Sequence, residues 1–269
     1  MALCGSILRP DAVAEKGIRM SLEADYLGAF EEHSPEGIRA ALAAGASPTA
    51  PIKGKPPIEC LIEGYLRSPR FATCLRVLID AGATLNDAVL ESLLLDDDRG
   101  LRRSLEADEH RRERRLRVPC AFTSCADVSP LHLCAEFNCV RCARVLLDAG
   151  ADVNARAGVD EHGFGGQTPI FHTANSIFNY CRPMLEVLVE AGADLEVRLK
   201  GLVWGSEQDW ETTVLDVTPT SYAQCGLYAQ FHRQEQDVYS NLRYLYQRRH
   251  GTQLRVRNVP NRYLAPRQT

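Results

Sequence analysis

The stretch SPLHLCAEFNCVRCARVLLDAGADVN, residues 129–154, decides the fold of this chain of 269 residues. Its first half begins at a Ser-Pro turn and places Leu131, Cys134 and Ala135 on one face of a short helix. Its second half has the apolar period of about 3.6 residues that is typical of another helix. The Asp-Ala-Gly-Ala sequence then ends that helix, because glycine adopts the left-handed conformation at no steric cost. Two helices this short cannot bury their own apolar faces, so similar units must stack beside them.

The same helix ending and the same helix opening recur along the chain. The endings are LIDAGA at Leu78–Ala83, LLDAGA at Leu146–Ala151, LVEAGA at Leu188–Ala193 and a shorter LAAGA at Leu42–Ala46. The openings are SPLH at Ser129–His132, TPIF at Thr168–Phe171, PPIE at Pro56–Glu59 and TPTS at Thr218–Ser221. Because openings and endings keep one register, they predict an array of stacked helix pairs.

These openings and endings resemble the ankyrin repeat family, whose unit of about 33 residues begins T-P-L-H-x-A. The resemblance implies an all-α solenoid of about six stacked helix-turn-helix units over residues 21–250. An N-terminal tail, residues 1–20, and a C-terminal tail, residues 251–269, are expected on either side. The third unit, about residues 86–128, lacks the Gly-Ala ending and is expected to be irregular. Residues 167–247 also look like a group of uncharacterised bacterial ankyrin repeat proteins, and that likeness implies no particular chemistry.

Composition narrows the class of protein. The chain has 31 basic and 35 acidic residues, a formal charge of -4, which argues against nucleic acid as the main ligand. No segment approaches the ~18 uninterrupted apolar residues that span a bilayer, and the first twenty residues do not follow the pattern of a secretion signal. We therefore expect a cytoplasmic protein that has no membrane partner and keeps its ten cysteines reduced.

Two connections are longer than the family unit, and they are called here the expanded loops, residues 155–167 and 199–217. They follow one another in the stack, so we expect them on the same edge of the solenoid. One interpretation is that their aromatic side chains fold over the flank of the repeats and stabilise a long loop. The other is that tryptophan anchors a partner. The candidate partner-binding residues are Trp204, Trp210, Phe164, Asp160, Glu161, Asp209 and Glu211.

The resemblance implies a non-enzymatic interaction module or scaffold, which binds another protein through its loops and concave face. No cofactor, catalytic residue or metal ligand is predicted, and the chain is expected to be a monomer. The carboxylates of the expanded loops favour a basic or amphipathic partner. The alternative is a protein that binds a small ligand or a metal where the expanded loops meet, with a hydrolytic form in which those carboxylates and His162 share acid/base work.

Three other patterns have a chemical and a structural interpretation each. His132, Cys134, Cys139 and Cys142 have metal-ligand spacing, but Cys134 and Cys142 fall on helical core positions. The pair Cys120 and Cys125 is either two loop or core thiols or a redox or metal site. The arginine-rich run at residues 109–115 is either a site for an acidic partner or a solvated helix, and its interleaved glutamates favour the solvated helix.

Overall fold

The computed structural model describes residues 10–206, 208–228, 231 and 233–254, with the backbone alone for residues 10–20. These residues form twelve α-helices and two small antiparallel sheets. The helices are α1 Pro10–Glu31, α2 Pro35–Ala43, α3 Pro57–Glu63, α4 Phe71–Asp80, α5 Ala88–Leu94, α6 Asp98–Ala107, α7 Pro130–Phe137, α8 Val140–Asp148, α9 Phe171–Ala174, α10 Arg182–Glu190, α11 Pro219–Cys225 and α12 Glu235–His250. The strands are β1 Leu116–Val118, β2 Cys125–Val128, β3 Leu199–Trp204 and β4 Thr212–Val217, and 3-10 helices span Glu109–Glu113 and Ile177–Asn179.

The helices form six consecutive pairs, from α1/α2 to α11/α12. The two helices of each pair contact each other, and first helices also contact one another between pairs: α1 with α3, α5 with α7, α7 with α9 and α9 with α11. One continuous cluster of buried apolar side chains runs from the first pair to the last. The fold is therefore a predominantly helical repeat structure, in which each pair hides its apolar face against its neighbours.

The four repeated helix endings share one geometry. Gly45, Gly82, Gly150 and Gly192 all have positive φ, between 83° and 107°. In each case the next alanine donates its N–H, over 2.9 Å, to the carbonyl five residues earlier. This bond satisfies one of the carbonyls that a helix end leaves open. The recurring sequence is therefore one recurring structure.

His132 joins the fourth helix pair to the fifth. Its Nδ1 accepts the Ser129 N–H at 3.2 Å, and its Nε2 lies 3.0 Å from the carbonyl oxygen of Gln167 in the next opening. Burial, with a smaller contribution from nearby His172, lowers the pKa of His132 to about 3. The ring is therefore neutral, with Nε2–H as the donor to Gln167, and it serves the backbone rather than a metal.

The prediction of an all-α fold is wrong in two places. The second expanded loop is a hairpin in which β3 and β4 pair from Leu199 with Val217 to Trp204 with Thr212. Leu202 and Trp204 point from β3 into the core, where each is 1% exposed, so the apolar side chains that the hairpin buries stabilise it. The third unit also ends in strands, because β1 and β2 pair after α6. The arginine-rich run is a solvated 3-10 helix in which Arg112 lies between Glu109 and Glu113, at 3.4 and 3.7 Å.

The structure has a helix near each end of the part of the chain that it describes. Helix α1 begins at Pro10, inside the predicted N-terminal tail, and α12 ends at His250. Residues 1–9 and 255–269, which make up much of the two predicted tails, lie outside the described residues. Among the described residues, no helix combines the length and apolarity that a membrane crossing requires.

His33 makes stability depend on pH. It lies buried in the α1–α2 turn and is hydrogen-bonded to Ser68 Oγ at 2.8 Å. Burial, followed by the nearby Arg67 charge, lowers its pKa to about 4. Between the ordinary histidine pKa of about 6.5 and this value, the unfolded chain binds a proton that the folded chain does not. The contribution of neutral His33 to the free energy of unfolding is therefore fully present above pH ~6.5. Below pH ~6.5 this contribution falls by about 1.4 kcal/mol per pH unit.

We expect the variant His33→Gln to lose less stability than the wild type as the pH is lowered from 6.5 to 5. Urea unfolding at several pH values in this window measures the difference in slope. The matched variant is His162→Gln, which removes a histidine whose side chain is 69% exposed instead of buried. Equal slopes for His33→Gln and the wild type would contradict the assignment.

Candidate functional site

A groove of about 660 Å³ lies where the two expanded loops meet. Its apolar surface comes from Val159 and Phe164 of the first expanded loop and from Leu202 and Val203 of β3. Its polar surface comes from both expanded loops and from the β1–β2 hairpin: Arg117, Ser124, Asp127, Asp160, Gln167 and Ser206. The groove is thus built from three segments that are far apart in the sequence.

The expanded loops are fastened to each other by direct contacts. The Gly165 N–H donates to the Gly201 carbonyl at 2.9 Å, and Lys200 Nζ donates to the His162 carbonyl at 2.6 Å. The Phe164 ring packs on Gly201, where an added β-carbon would lie only 2.5 Å from ring atom Cδ1. Glycine at position 201 therefore makes room for the ring that holds the two segments together.

Asp160 fixes the tip of the first expanded loop. One oxygen of its carboxylate accepts the N–H groups of His162 and Phe164, at 2.9 and 2.8 Å. The Phe164 hydrogen bond is the largest cause that lowers the pKa of Asp160, so the carboxylate is charged at neutral pH. Because this turn is closed by its own side chain, the neighbouring Val159 is presented at a fixed position.

Two apolar side chains near the groove are unusually exposed. Val159 is 65% exposed, and Leu215 of β4 is 64% exposed. Leu215 lies directly opposite Gly201 in the hairpin, so it shares a face with the glycine on which Phe164 packs. The apolar surface of the groove therefore continues across the hairpin to Leu215.

The two tryptophans have a packing role in the structure. Trp204 is 1% exposed, stacks on Phe231 with ring centroids 4.2 Å apart, and contacts Trp210 at 4.6 Å. Trp210 is half-buried and covers Gly205 at the start of the hairpin turn. A buried indole has no surface to offer a partner. The packing interpretation therefore describes Trp204, Trp210 keeps one partly accessible face, and the role of both as partner anchors stays a prediction.

Among the described residues, the remaining predicted site residues do not form a buried acid/base pair. Glu161 and His162 approach to 3.8 Å, but both side chains are more than two-thirds exposed to solvent. Asp209 and Glu211 are exposed in the turn between β3 and β4. Asp160 uses its carboxylate for backbone amides. Of these residues, Asp160 lines the groove and adds negative charge to its surface.

A second cluster of polar side chains lies buried beneath this edge of the fold. Arg67 Nε donates to Glu136 Oε1 at 3.0 Å, and Glu136 Oε2 lies 3.0 Å from His172 Nδ1. Cys120 Sγ is 3.3 Å from Glu136 Oε1, and Cys125 Sγ is 4.0 Å from His172 Nδ1. Although burial alone would raise the pKa of Glu136, the Arg67 charge and the His172 hydrogen bond lower it, so the carboxylate is ionised.

The geometry of this cluster limits its chemistry. The Cys125 thiol and the Glu136 carboxylate both face Nδ1 of His172, so the ring cannot pass a proton from one to the other through its two nitrogens. His172 Nε2 and both polar side-chain atoms of Asn175 are buried without a hydrogen-bond partner among the described residues. His172 and Asn175 line a cavity of about 10 Å³, which is near the size that holds one water molecule.

Several residues of both sites escape prediction from sequence. Arg117 and Asp127 belong to the groove because they lie on β1 and β2. The alternation of apolar and charged residues in Leu116–Val118 is the sequence pattern that could have indicated a strand. Glu136 is the single charge on the otherwise apolar helix α7, which is a usable signal for a buried ion pair. Nothing in the sequence indicates that its partner is Arg67.

One comparison with known proteins bears on the fold. Residues 127–157 match the family model described as the ankyrin repeat. This match covers α7 and α8, the helix pair that contains the deciding stretch of sequence. The search of curated proteins found no match for the chain.

Proposed function

Because the chain carries an ankyrin repeat at residues 127–157, we propose that it is a non-catalytic module that binds another protein. The observation that supports this most directly is the groove between the expanded loops. It combines exposed apolar side chains with a backbone that is already fixed by hydrogen bonds. A preorganised surface of this kind loses little conformational entropy when it binds.

The match to the family model covers a single helix pair, α7 and α8. We also propose that all six helix pairs are ankyrin units. The shared Gly-Ala geometry supports this for four pairs, since their endings make the same hydrogen bond at the same distance. The third pair differs because β1 and β2 follow α6, and the sixth because it follows the β3–β4 hairpin. Both departures place strands at the groove, which supports a role for the groove that ordinary units do not need.

The occupant that fits the groove best is an extended segment of a partner protein that carries apolar and basic side chains. Val159 and Val203 offer apolar contact, and Leu215 extends that contact across the hairpin. Asp160 lies at the groove, and the neighbouring Glu161 side chain is 87% exposed. A basic side chain of the partner would therefore meet two carboxylates while its apolar neighbours cover the valines.

We expect the double variant Val159→Lys/Leu215→Lys to lose the partner, because it removes both exposed apolar contacts and adds positive charge against a basic segment. The measurement is quantitative affinity capture from the source cell, comparing each captured protein between wild type and variant. Proteins that bind through the groove should fall at least about tenfold, which is the effect of losing about 1.4 kcal/mol of binding energy.

The matched control is Phe178→Lys. Phe178 is also apolar and 63% exposed, but it lies in the 3-10 helix before α10 and does not line the groove. We expect Phe178→Lys to capture the same proteins as the wild type. Equal captured sets for the groove variant and the wild type would remove the groove from the proposal.

A small ligand is the second candidate occupant, because about 660 Å³ lies within the 300–1,000 Å³ range of such sites. The same variants separate the two. A metabolite that raises the melting temperature of the wild type and of Phe178→Lys, but not of the groove variant, would replace the protein segment as occupant. The groove walls hold no buried charged side chain to orient such a ligand among the described residues, which favours the protein segment.

A further inference from the structure

The buried cluster has the donor atoms of a metal site. A sulfur from Cys120, a sulfur from Cys125 and an oxygen from Glu136 all lie within 4.8 Å of one another. His172 Nδ1 is next to this group, 3.0 Å from Glu136 and 4.0 Å from Cys125. Zinc at 2.0–2.3 Å from four tetrahedral ligands would separate them by about 3.3–3.8 Å. The donor atoms are therefore already near the spacing that a tetrahedral ion requires.

The charges of the cluster also suit a divalent ion. Without a metal, Arg67 and Glu136 pair at 3.0 Å and neutralise each other. When a divalent ion binds, the two thiols release two protons, and the charge of the cluster stays at zero. Two thiolates, one carboxylate and a dication together have one net negative charge. The Arg67 guanidinium, 3.5 Å from Cys120 Sγ, balances that charge.

We propose that Cys120, Cys125, Glu136 and His172 bind one zinc ion, with Arg67 as the buried counter-charge. Among the common cellular metal ions, zinc is the one that a set of two thiolates and an imidazole favours. Half-buried Cys120, on the loop between β1 and β2, is the open side through which the ion enters. The unpartnered Nε2 of His172 borders the 10 Å³ cavity, where one water would complete the outer shell of the ligand.

The ion would act on the fold rather than on a substrate. Cys120 and Cys125 flank the β1–β2 loop, which buries Phe122 and Thr123 and presents Ser124 to the groove. An ion bound to α7, α9 and both ends of this loop would hold one wall of the groove in place. A site closed by four protein ligands is typical of structural zinc, because catalytic zinc keeps one position open.

The test uses the full chain, reduced and made metal-free with a chelator, and titrated with Co²⁺. We expect one cobalt per chain, a thiolate-to-cobalt charge-transfer band, intense tetrahedral d–d bands, and displacement of all three signals by Zn²⁺. Cys120→Ser should weaken cobalt binding by at least about 100-fold, since loss of a direct ligand exceeds the 10–100-fold effect of an outer-shell change. The control Cys60→Ser, which removes a half-buried thiol of α3, should bind like the wild type.

Two results would overturn the proposal. One is a wild-type chain that shows no charge-transfer band, or only the weak spectrum of octahedral cobalt bound by oxygen. The other is a Cys120→Ser chain that keeps the wild-type band. Far-UV circular dichroism shows whether the Cys120→Ser variant folds. If the variant does not fold, the cobalt spectrum of the wild type alone decides whether the proposal stands. Capture of partners through the groove is a separate readout, so failure of one proposal does not imply failure of the other.

Discussion

Replacing Arg67 with methionine is expected to lower the free energy of unfolding by about 3–5 kcal/mol, because it leaves a buried carboxylate without its counter-ion. The side chains of Arg67 and Glu136 are 2% and 4% exposed, so water cannot take the place of the guanidinium. The guanidinium also lies over the Phe137 ring, 4.5 Å from its centroid, and methionine fills that space without the charge. Urea unfolding of wild type and variant measures the loss.

The chain offers two controls for this result. Arg70, three positions along the same loop, pairs with Glu36 on the surface, where both side chains are more than half exposed. Arg70→Met should leave stability nearly unchanged, since solvent screens such a pair. The double variant Arg67→Met/Glu136→Gln should recover most of the loss, because no charge then remains buried. A double variant as unstable as Arg67→Met would show that packing, not charge, explains the loss.

Trp204→Ala is expected to cost about 3–5 kcal/mol, which is the usual loss for a large buried aromatic side chain. Trp204 fills the space between Phe231, Trp210 and Phe122, and alanine would leave a cavity bounded by three rings that cannot close on it. At about 2–4 °C per kcal/mol for a chain of this size, the melting temperature should fall by about 10 °C.

Phe178→Ala is the control for the tryptophan, because its ring is 63% exposed and its loss opens no cavity. Its melting temperature should stay close to that of the wild type. The binding readout separates the two interpretations of Trp204 further. If Trp204→Ala lost the partner while keeping the wild-type melting temperature, Trp204 would be a contact residue despite its burial.

The repeat architecture is predictable from sequence because its determinants are local. Each Gly-Ala ending needs only the few residues that precede it, and the deciding hydrogen bond spans five positions. His132 likewise follows from its own opening, where it accepts the Ser129 N–H. Such contacts lie within one or two turns of chain, so a repeated sequence is enough to predict a repeated structure.

The groove and the buried cluster are less predictable because their determinants are distant in sequence. Leu199–Val217 forms a hairpin because its inner face meets Phe122 and Phe231, which belong to other segments. Thr123 bonds to Tyr222 across 99 positions, and neither residue indicates the other in a single sequence. Propensity alone leaves such a segment as a long loop, and tertiary contact decides that it becomes a sheet.

Arg67 and Glu136 lie 69 positions apart, in the second and the fourth helix pairs. The Phe71 and Phe137 rings make the same connection, with centroids 4.9 Å apart. In a simple array each unit interacts with its immediate neighbours, and stability adds up unit by unit. Here the loop of one unit passes its nearest neighbour and contacts the unit beyond it. The stability of these pairs is therefore not a sum of independent contributions. A truncation on either side of the third pair removes either Arg67 or Glu136 and leaves the other charge buried without its partner, so we expect the second, third and fourth pairs to unfold together.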